Sequence, residues 1–459
     1  MNTKTRNSFI TLIAGMGMLL STLDTGIINV ALPFLQHQFH ATTSITALSV
    51  IGYTMSLAIF ILPFGYLSDR FGKLKISLIG LVIFGLGSIL CGAANSIEAL
   101  IGFRVLQGIG AAALQATSAA LITTLIDRQY VPSALGILGI MIGLGPVLGP
   151  SIGGFFLAFN MWRFIFWINV SFAIIGIICN ALLLKSISEN YHKLTFDGVG
   201  ALITALMVIS LLSGFSLLGN RTYLKTGLSL VIVGLIISFL FYHFELRHKN
   251  ALINFKALNH TPKSWLYLSQ TVVFGFASAM IFLLPPFIFE KLLHLNVGLT
   301  GLLVLGAPVG LVLFSRISSN QNDGTQNNRF SLLGLGIIAL ALVGLTFMNQ
   351  QWPALITTGL LLVYGIGGGY FQPANIAAIM QVGSQQTQGS IGALQRMAQN
   401  IAIASGTAIG STILNLAAGH LSLGIKLSWL VTLILVVTVC LLSLCLKLET
   451  SKTSDNKTI

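Results

Sequence analysis

Charge is what this sequence has least of. Only 8% of its 459 residues are charged and only 11 are acidic, against about 25% charged residues in soluble chains. That scarcity excludes a soluble globular protein. No polar block is large enough to hold a core of its own, which excludes an appended soluble domain. Short segments of period-2 alternation are missing, so an outer-membrane barrel is excluded as well. Cysteine is sparse too. Cys91, Cys179, Cys440 and Cys445 all fall in apolar stretches without metal-ligand or redox spacing, and they are expected to be buried structural thiols. No H-E-x-x-H, no G-x-S-G and no acid cluster lies in any apolar stretch, which leaves an intramembrane enzyme without a nucleophile, base or metal site. Neither a cofactor nor a metal is expected.

Apolar runs of about 20 residues are abundant, each long enough to cross about 30 Å of hydrocarbon. Polar punctuation divides them into fourteen segments starting near residues 9, 45, 76, 97, 134, 164, 198, 226, 266, 298, 331, 354, 388 and 426. The expected fold is an all-α polytopic membrane protein with 14 transmembrane helices. "MNTKTRNSF" leads into the first of these with no small-residue cleavage site, so it reads as a span and not a removable signal.

The net charge of +13 is scattered over short loops, a pattern that fits membrane orientation and not nucleic-acid binding. Arg163, Arg221, Lys225, Lys291 and Lys426 fall on one face, Arg104 and Arg396 within spans, and all the remaining Lys and Arg on the opposite face. The positive-inside rule then puts both termini in the cytoplasm. The longest polar connections, after the sixth and eighth segments, suggest a 6 + 2 + 6 plan of two related halves. Its blocks are residues 1–196, an inserted helix pair at 197–262, residues 263–447 and a cytoplasmic tail at 448–459. The stretch "SRISSNQNDGTQNNRF" (315–330) reads as a polar cytoplasmic loop.

Ten of the acids sit at or beyond the ends of spans. Asp24, in "STLDTGIINVALP", is the exception. A carboxylate at mid-bilayer is unfavourable by about 2.5–3.5 kcal/mol. At 1.5 Å per residue Asp24 lies ~13 Å below the outer end of its helix and Arg104 ~9 Å below the same face. The two charges thus share a depth. Either they form a fixed ion pair, or Asp24 takes and releases a proton as the bundle changes shape.

"GALQRMAQNIA" places Gln395 and Gln399 on one helical face and Arg396 and Asn400 on its neighbour, as a cavity lining or as helix glue. Asn29, Gln107, Gln270, Gln372 and Asn375 are weaker cavity candidates, each open to the same bland reading as an interhelical hydrogen-bonder. In "GILGIMIGLGPVLGPSIGG", Gly145, Gly149 and Gly153 form a strip free of side chains, with Gly136, Pro150 and Gly154 beside it. Such a strip permits close packing and can serve as a pivot. "GIGGGYF" (365–371) is a similar run in the second half.

These residues resemble the major facilitator superfamily, specifically its fourteen-helix drug:proton antiporters. "GYLSDRFGKLK" (65–75) looks like the G-x-x-x-D-R-x-G-R/K-x-R/K signature, and "RVLQGIGAA" (104–112) is similar to the arginine-centred motif of the fourth helix. The six helix-five positions match G-x8-G-x3-G-P-x2-G-G. "LDTGIINVALP" (23–33) resembles the first-helix motif, with Gly26 where Thr is preferred; "WRFIFWIN" (162–169) and "FDGVG" (196–200) also fit.

The resemblance covers the whole chain. It implies a rocker-switch exporter of hydrophobic drugs driven by the proton gradient, functional as a monomer in a bacterial cytoplasmic membrane. Asp24 and Arg104 would be the proton-linked residues. Gly65, Asp69, Arg70, Gly72 and Lys73, with Asp127, would form a cytoplasmic latch. The second half lacks a clear copy of the loop signature. No second acid lies deep in the later spans, which points to monovalent cationic, zwitterionic or neutral substrates. A dedicated exporter of one compound, such as tetracycline or a metabolite, is the alternative on the same scaffold.

Overall fold

The computed structural model describes residues 3–41, 43–187, 189, 197–218, 221–248, 251–261, 263–348, 351–382, 387–417 and 420–455. Its described residues are helical with short connections and no strand. The helices are α1 (Thr3–Gln38), α2 (Thr43–Phe71), α3 (Lys73–Ala93), α4 (Ile97–Leu125), α5 (Val131–Ala158), α6 (Phe164–Leu184), α7 (Gly198–Leu218), α8 (Leu224–Arg247), α9 (Phe255–His260), α10 (Lys263–Pro286), α11 (Val297–Val304), α12 (Gly306–Gln321), α13 (Asn327–Thr346), α14 (Ala354–Met380), α15 (Gln388–Leu416) and α16 (Leu421–Asp455). Among the described residues, 12 helices are long and apolar enough to cross a membrane. The 28-residue α5 and the 29-residue α15, rich in glycine and amides, stand at the two other expected positions.

Two compact units divide the chain. One comprises Met1–Leu212, Val231–Ala257 and Gly383–Met397; the other comprises Ser213–Leu230, Leu258–Val382 and Ala398–Ile459. In the first, α1 packs on α5, α4 and α6, while α4 packs on α2 and α3. An apolar core from Leu23 to Leu35 on α1, Ile97 and Leu100 on α4, and Trp162 to Phe166 before and on α6 fills this unit. In the second, α14 packs on α12 and α13, and α16 on α10 and α13, around Phe274, Phe289, Phe371 and Trp429. Helices α7 and α8 leave large apolar side chains such as Leu202, Leu235 and Phe239 exposed, as spans facing hydrocarbon do.

Helix ends explain several acids. Ser96 caps α4 through the Ala99 amide at 3.2 Å, and Asp197 caps α7 through the Gly200 amide at 2.8 Å. Glu189 accepts from the Lys73 and Leu74 amides at the start of α3, at 2.8 and 3.1 Å. Burial pushes the Glu189 carboxyl above its usual range, against the pull of those two amides.

Two expectations are corrected. The segment 315–330 is mostly helix: α12 runs to Gln321 and α13 starts at Asn327, with only a tight connection between. That connection folds on itself, because Asn322 donates to Asn327 (2.7 Å), Asn327 donates to the Gly324 carbonyl (2.9 Å), and Gly324 takes φ 89°. The thiols also divide. Cys91 and Cys179 are buried, but Cys440 is half-buried and Cys445 exposed on α16, where an apolar segment faces outward.

Candidate transport site

The first unit brings four helices to Asp24. The side chain is 2% exposed and Arg104, on α4, is fully buried. Arg104 donates to Asp24 Oδ2 at 2.5 Å. Gln107, one turn along α4, donates to Oδ1 at 2.9 Å, and Asn169 of α6 donates to the same oxygen at 3.1 Å. Three donors and one full positive charge therefore balance a carboxylate that has lost its water.

Arg104 has other partners as well. It donates to Gln107 Oε1 at 2.7 Å and to the Ser49 carbonyl at 3.2 Å, and its guanidinium lies 4.2 Å over the Tyr53 ring. Tyr53 is held by its own bond to the Ser21 carbonyl at 3.1 Å, and Gln107 by Ser88 at 2.9 Å. The expected Asp24–Arg104 juxtaposition is thus present. Gln107 belongs to this cage.

The glycine strip of α5 lies on the same stretch of α1. A Cβ on Gly149 would stand 2.7 Å from the Gly26 backbone, one on Gly145 would overlap Thr22, and one on Gly153 would meet Ile27. A Cβ on Gly154 would meet nothing within 4 Å, so it lies outside the contact strip. Gly136 is buried on the same helix. The side chains of Pro150 and of the cavity candidate Asn29 lie outside the described residues.

The signature loop makes a second constellation in this unit. Asp69 accepts from the Gly389 and Ser390 amides at 2.8 and 2.9 Å, from the Ser390 hydroxyl at 3.0 Å, and pairs with Lys73 at 3.1 Å. It caps the start of α15, where the helix dipole favours an anion. Gly65 lets this turn approach, since its Cβ would stand 2.8 Å from the Gly389 carbonyl oxygen. Gly72, at φ 101°, makes the sharp passage into α3. Arg70 lies over the Phe71 ring at 4.8 Å. Asp127 does not join the group. It pairs with Arg6 at 3.2 Å, because the chain after α4 leads it to the N-terminal segment.

In the second unit, Gln270 and Asn375 form a closed polar network. Ser331 donates to Gln270 (2.8 Å), Gln270 to Ser443 (3.0 Å), Thr271 to Asn375 (2.8 Å), and Asn375 to the Tyr267 carbonyl (3.1 Å). Such a network joins helices. Gln372 of this unit, and Gln395 of the first unit beside Arg396, are buried, each glutamine with an Oε1 that accepts nothing among the described residues. Arg396 and Gln399 are buried as well, while Asn400 is half-buried.

Residues 14–407 match the Major Facilitator Superfamily family model. The chain belongs to the major facilitator superfamily. The riboflavin transporter RibZ of Clostridioides difficile (strain 630) is 29% identical over 401 residues, covering 86% of both chains. The putative multidrug resistance protein MdtD of Salmonella typhi is 25% identical over 416 residues, 88% of this chain and 86% of its own. The human organic anion transporter MFSD10 shares the fold, with a TM-score of 0.69 at 14% identity over 95% of this chain and 99% of its own. This is therefore a multi-pass membrane transporter, as the sequence resemblance implied.

Asn169, Ser49, Tyr53 and Ser88 of the Asp24 cage went unanticipated. Asn169 had a signal, as the lone amide ending "WRFIFWIN". Ser49 and Tyr53 had a weaker one, four residues apart and so on one face of α2.

Proposed function

We propose that this transporter is a proton-coupled antiporter that exports hydrophobic drugs by alternating access, with Asp24 as the proton-coupling site. On this reading α1–α8 and α10–α16 supply fourteen spans, α11 and α12 together forming one of them. Both termini are cytoplasmic, and the protein works as a monomer in a bacterial cytoplasmic membrane. Substrates are monovalent cationic, zwitterionic or neutral.

The observation that carries the reading is the layout of the Asp24 cage. Protonating Asp24 weakens its bond to Arg104, yet Arg104 keeps Gln107, the Ser49 carbonyl and the Tyr53 face. A proton can come and go without stranding the buried cation, which a purely structural pair does not require. The α5 glycine strip against Thr22, Gly26 and Ile27 supplies a smooth surface for movement beside that site. Asp69, breaking and remaking its cap on α15, acts as the latch. The likeness to MdtD supports drug export.

The likeness to RibZ favours a second reading, a dedicated transporter of one metabolite. Inside-out vesicles holding a pH gradient separate these. On the first reading, panels of lipophilic cations and neutral drugs release protons in the wild type and not in Asp24→Asn. Release by one compound alone supports the dedicated reading. Equal release by wild type and mutant refutes Asp24 as the coupling site.

A further inference from the structure

A second pair of acids lies away from Asp24. Asp197, before α7, and Glu245, in the last turn of α8, are 3% and 2% exposed. One oxygen of each is held: the Gly200 amide donates to Asp197 Oδ1 (2.8 Å) and the Ile253 amide to Glu245 Oε2 (3.0 Å). The other two oxygens lie near one another. A Cβ on Gly200 would stand 2.5 Å from both Asp197 Oδ2 and Glu245 Oε1, so these oxygens are separated by no more than twice that distance. Neither accepts a hydrogen bond among the described residues. Two buried acceptors this close together, with no hydrogen-bond donor on either, are stabilised by a proton held between them.

We propose that Asp197 and Glu245 share one proton and form a second protonation site on the helix pair α7–α8. The site does not depend on the Asp24 reading. Glu245 lines a cavity of about 280 Å³ together with Tyr66, Asp69, His248, Lys256 and Ser390, which gives the proton a route to water.

The titratable groups around the pair are Tyr66 and Asp69 from α2, Lys256 from α9 and His248 at the end of α8. The His248 Nε2 is 3.8 Å from Asp197 Oδ2. On release, the carboxylic O–H bond breaks and the proton passes to cavity water or to His248, leaving two carboxylates that repel. Because each also caps the start of a neighbouring segment, the repulsion drives the end of α8 away from the start of α7. The same cavity reaches Asp69 and Ser390, so the charge of the pair is felt at the latch.

Infrared titration of the purified full-length protein tests this through the carboxylic-acid carbonyl band. A protonated carboxyl should persist at neutral pH in the wild type and in Asp24→Asn. In Glu245→Gln and Asp197→Asn that band should vanish at neutral pH, or its midpoint should move to at least about tenfold higher proton concentration. Glu245→Gln preserves shape and an acceptor for Ile253, so it carries the test alone if Asp197→Asn does not fold. Absence of the band from the wild type overturns the proposal. So does a band unchanged in Glu245→Gln, or one lost only in Asp24→Asn.

Discussion

A close backbone contact between α5 and α1 beside Asp24 makes a sharp prediction. Replacing Gly149 by Ala places a carbon 2.7 Å from the Cα and carbonyl carbon of Gly26 and 2.8 Å from the Ile27 nitrogen. Carbon atoms rest about 3.5–4.0 Å apart. Both contacts are to backbone, so no side chain can rotate away, and α1 must move off α5 by about 1 Å. Overpacking of this kind is unfavourable by about 1–3 kcal/mol, offset by about 1 kcal/mol from the better helix propensity of alanine. The Gln107 and Asn169 bonds to Asp24, 2.9 and 3.1 Å long, lie two residues from the displaced segment. They stretch past useful length with it.

Gly154→Ala is the matched control on the same helix. Its Cβ meets nothing within 4 Å, and it should gain about 0.5–1 kcal/mol. Thermal unfolding of the two purified variants, with the drug-induced proton release expected on the proposed function, reads out both effects. Gly149→Ala should unfold at lower temperature and lose coupling; Gly154→Ala should do neither. Equal behaviour of the two variants refutes the close approach of α5 to α1.

Other outcomes follow from the same geometry. Arg104→Gln should destabilise by about 3–5 kcal/mol through an unpaired buried carboxylate, Asp24→Asn by less because Arg104 keeps Gln107, the Ser49 carbonyl and the Tyr53 face, and the double variant by clearly less than the sum. A thermal double-mutant cycle that comes out additive refutes the pair. Asp69→Asn forfeits charge-assisted bonds to Gly389, Ser390 and Lys73. Stability should fall by about 1.5–3 kcal/mol, and an unchanged unfolding temperature contradicts the cap on α15. The Glu189 carboxyl is raised by burial, so the fold holds its proton more tightly than the unfolded chain does. Its contribution is therefore lost as pH rises from the usual glutamate range through the raised one. Glu189→Gln should flatten the pH dependence of unfolding in that window, and an unaltered slope refutes the assignment.

Much of this was legible because lipid imposes simple rules. Spans announce themselves by length, and an acid such as Asp24 stands out where every neighbour is apolar. The α5 glycines could be read by spacing alone, since only backbone approach explains them. The rest depends on where other helices arrive. Asn169, Tyr53 and Ser88 are ordinary residues in their own segments and become a cage only once α6, α2 and α3 meet α4. Gln270 and Asn375 were open to two readings, cavity lining or interhelical hydrogen bond, because spacing shows a polar face but not its partners. Asp127 was grouped with Asp69 through the family resemblance alone, and no local pattern reveals Arg6 as its partner. Residues 315–330 misled through composition: asparagine and serine signal a loop, yet Ser315, Ser318 and Ser319 are buried on α12 and Asn327 opens α13, where tertiary contacts override local preference.

The neutrality of the Asp24–Arg104 pair has an electrical consequence. With Asp24 ionised the buried site carries no net charge; a proton on Asp24 leaves the single positive charge of Arg104. Carrying one elementary charge through 100 mV changes the free energy by about 2.3 kcal/mol. On the proposed mechanism, exchanging one proton for a neutral compound therefore moves current and draws on the membrane voltage. Exchanging one proton for a monovalent cation moves none and draws on the pH difference alone. On that mechanism the charge of the cargo decides whether the membrane voltage adds to the pH difference as a driving force.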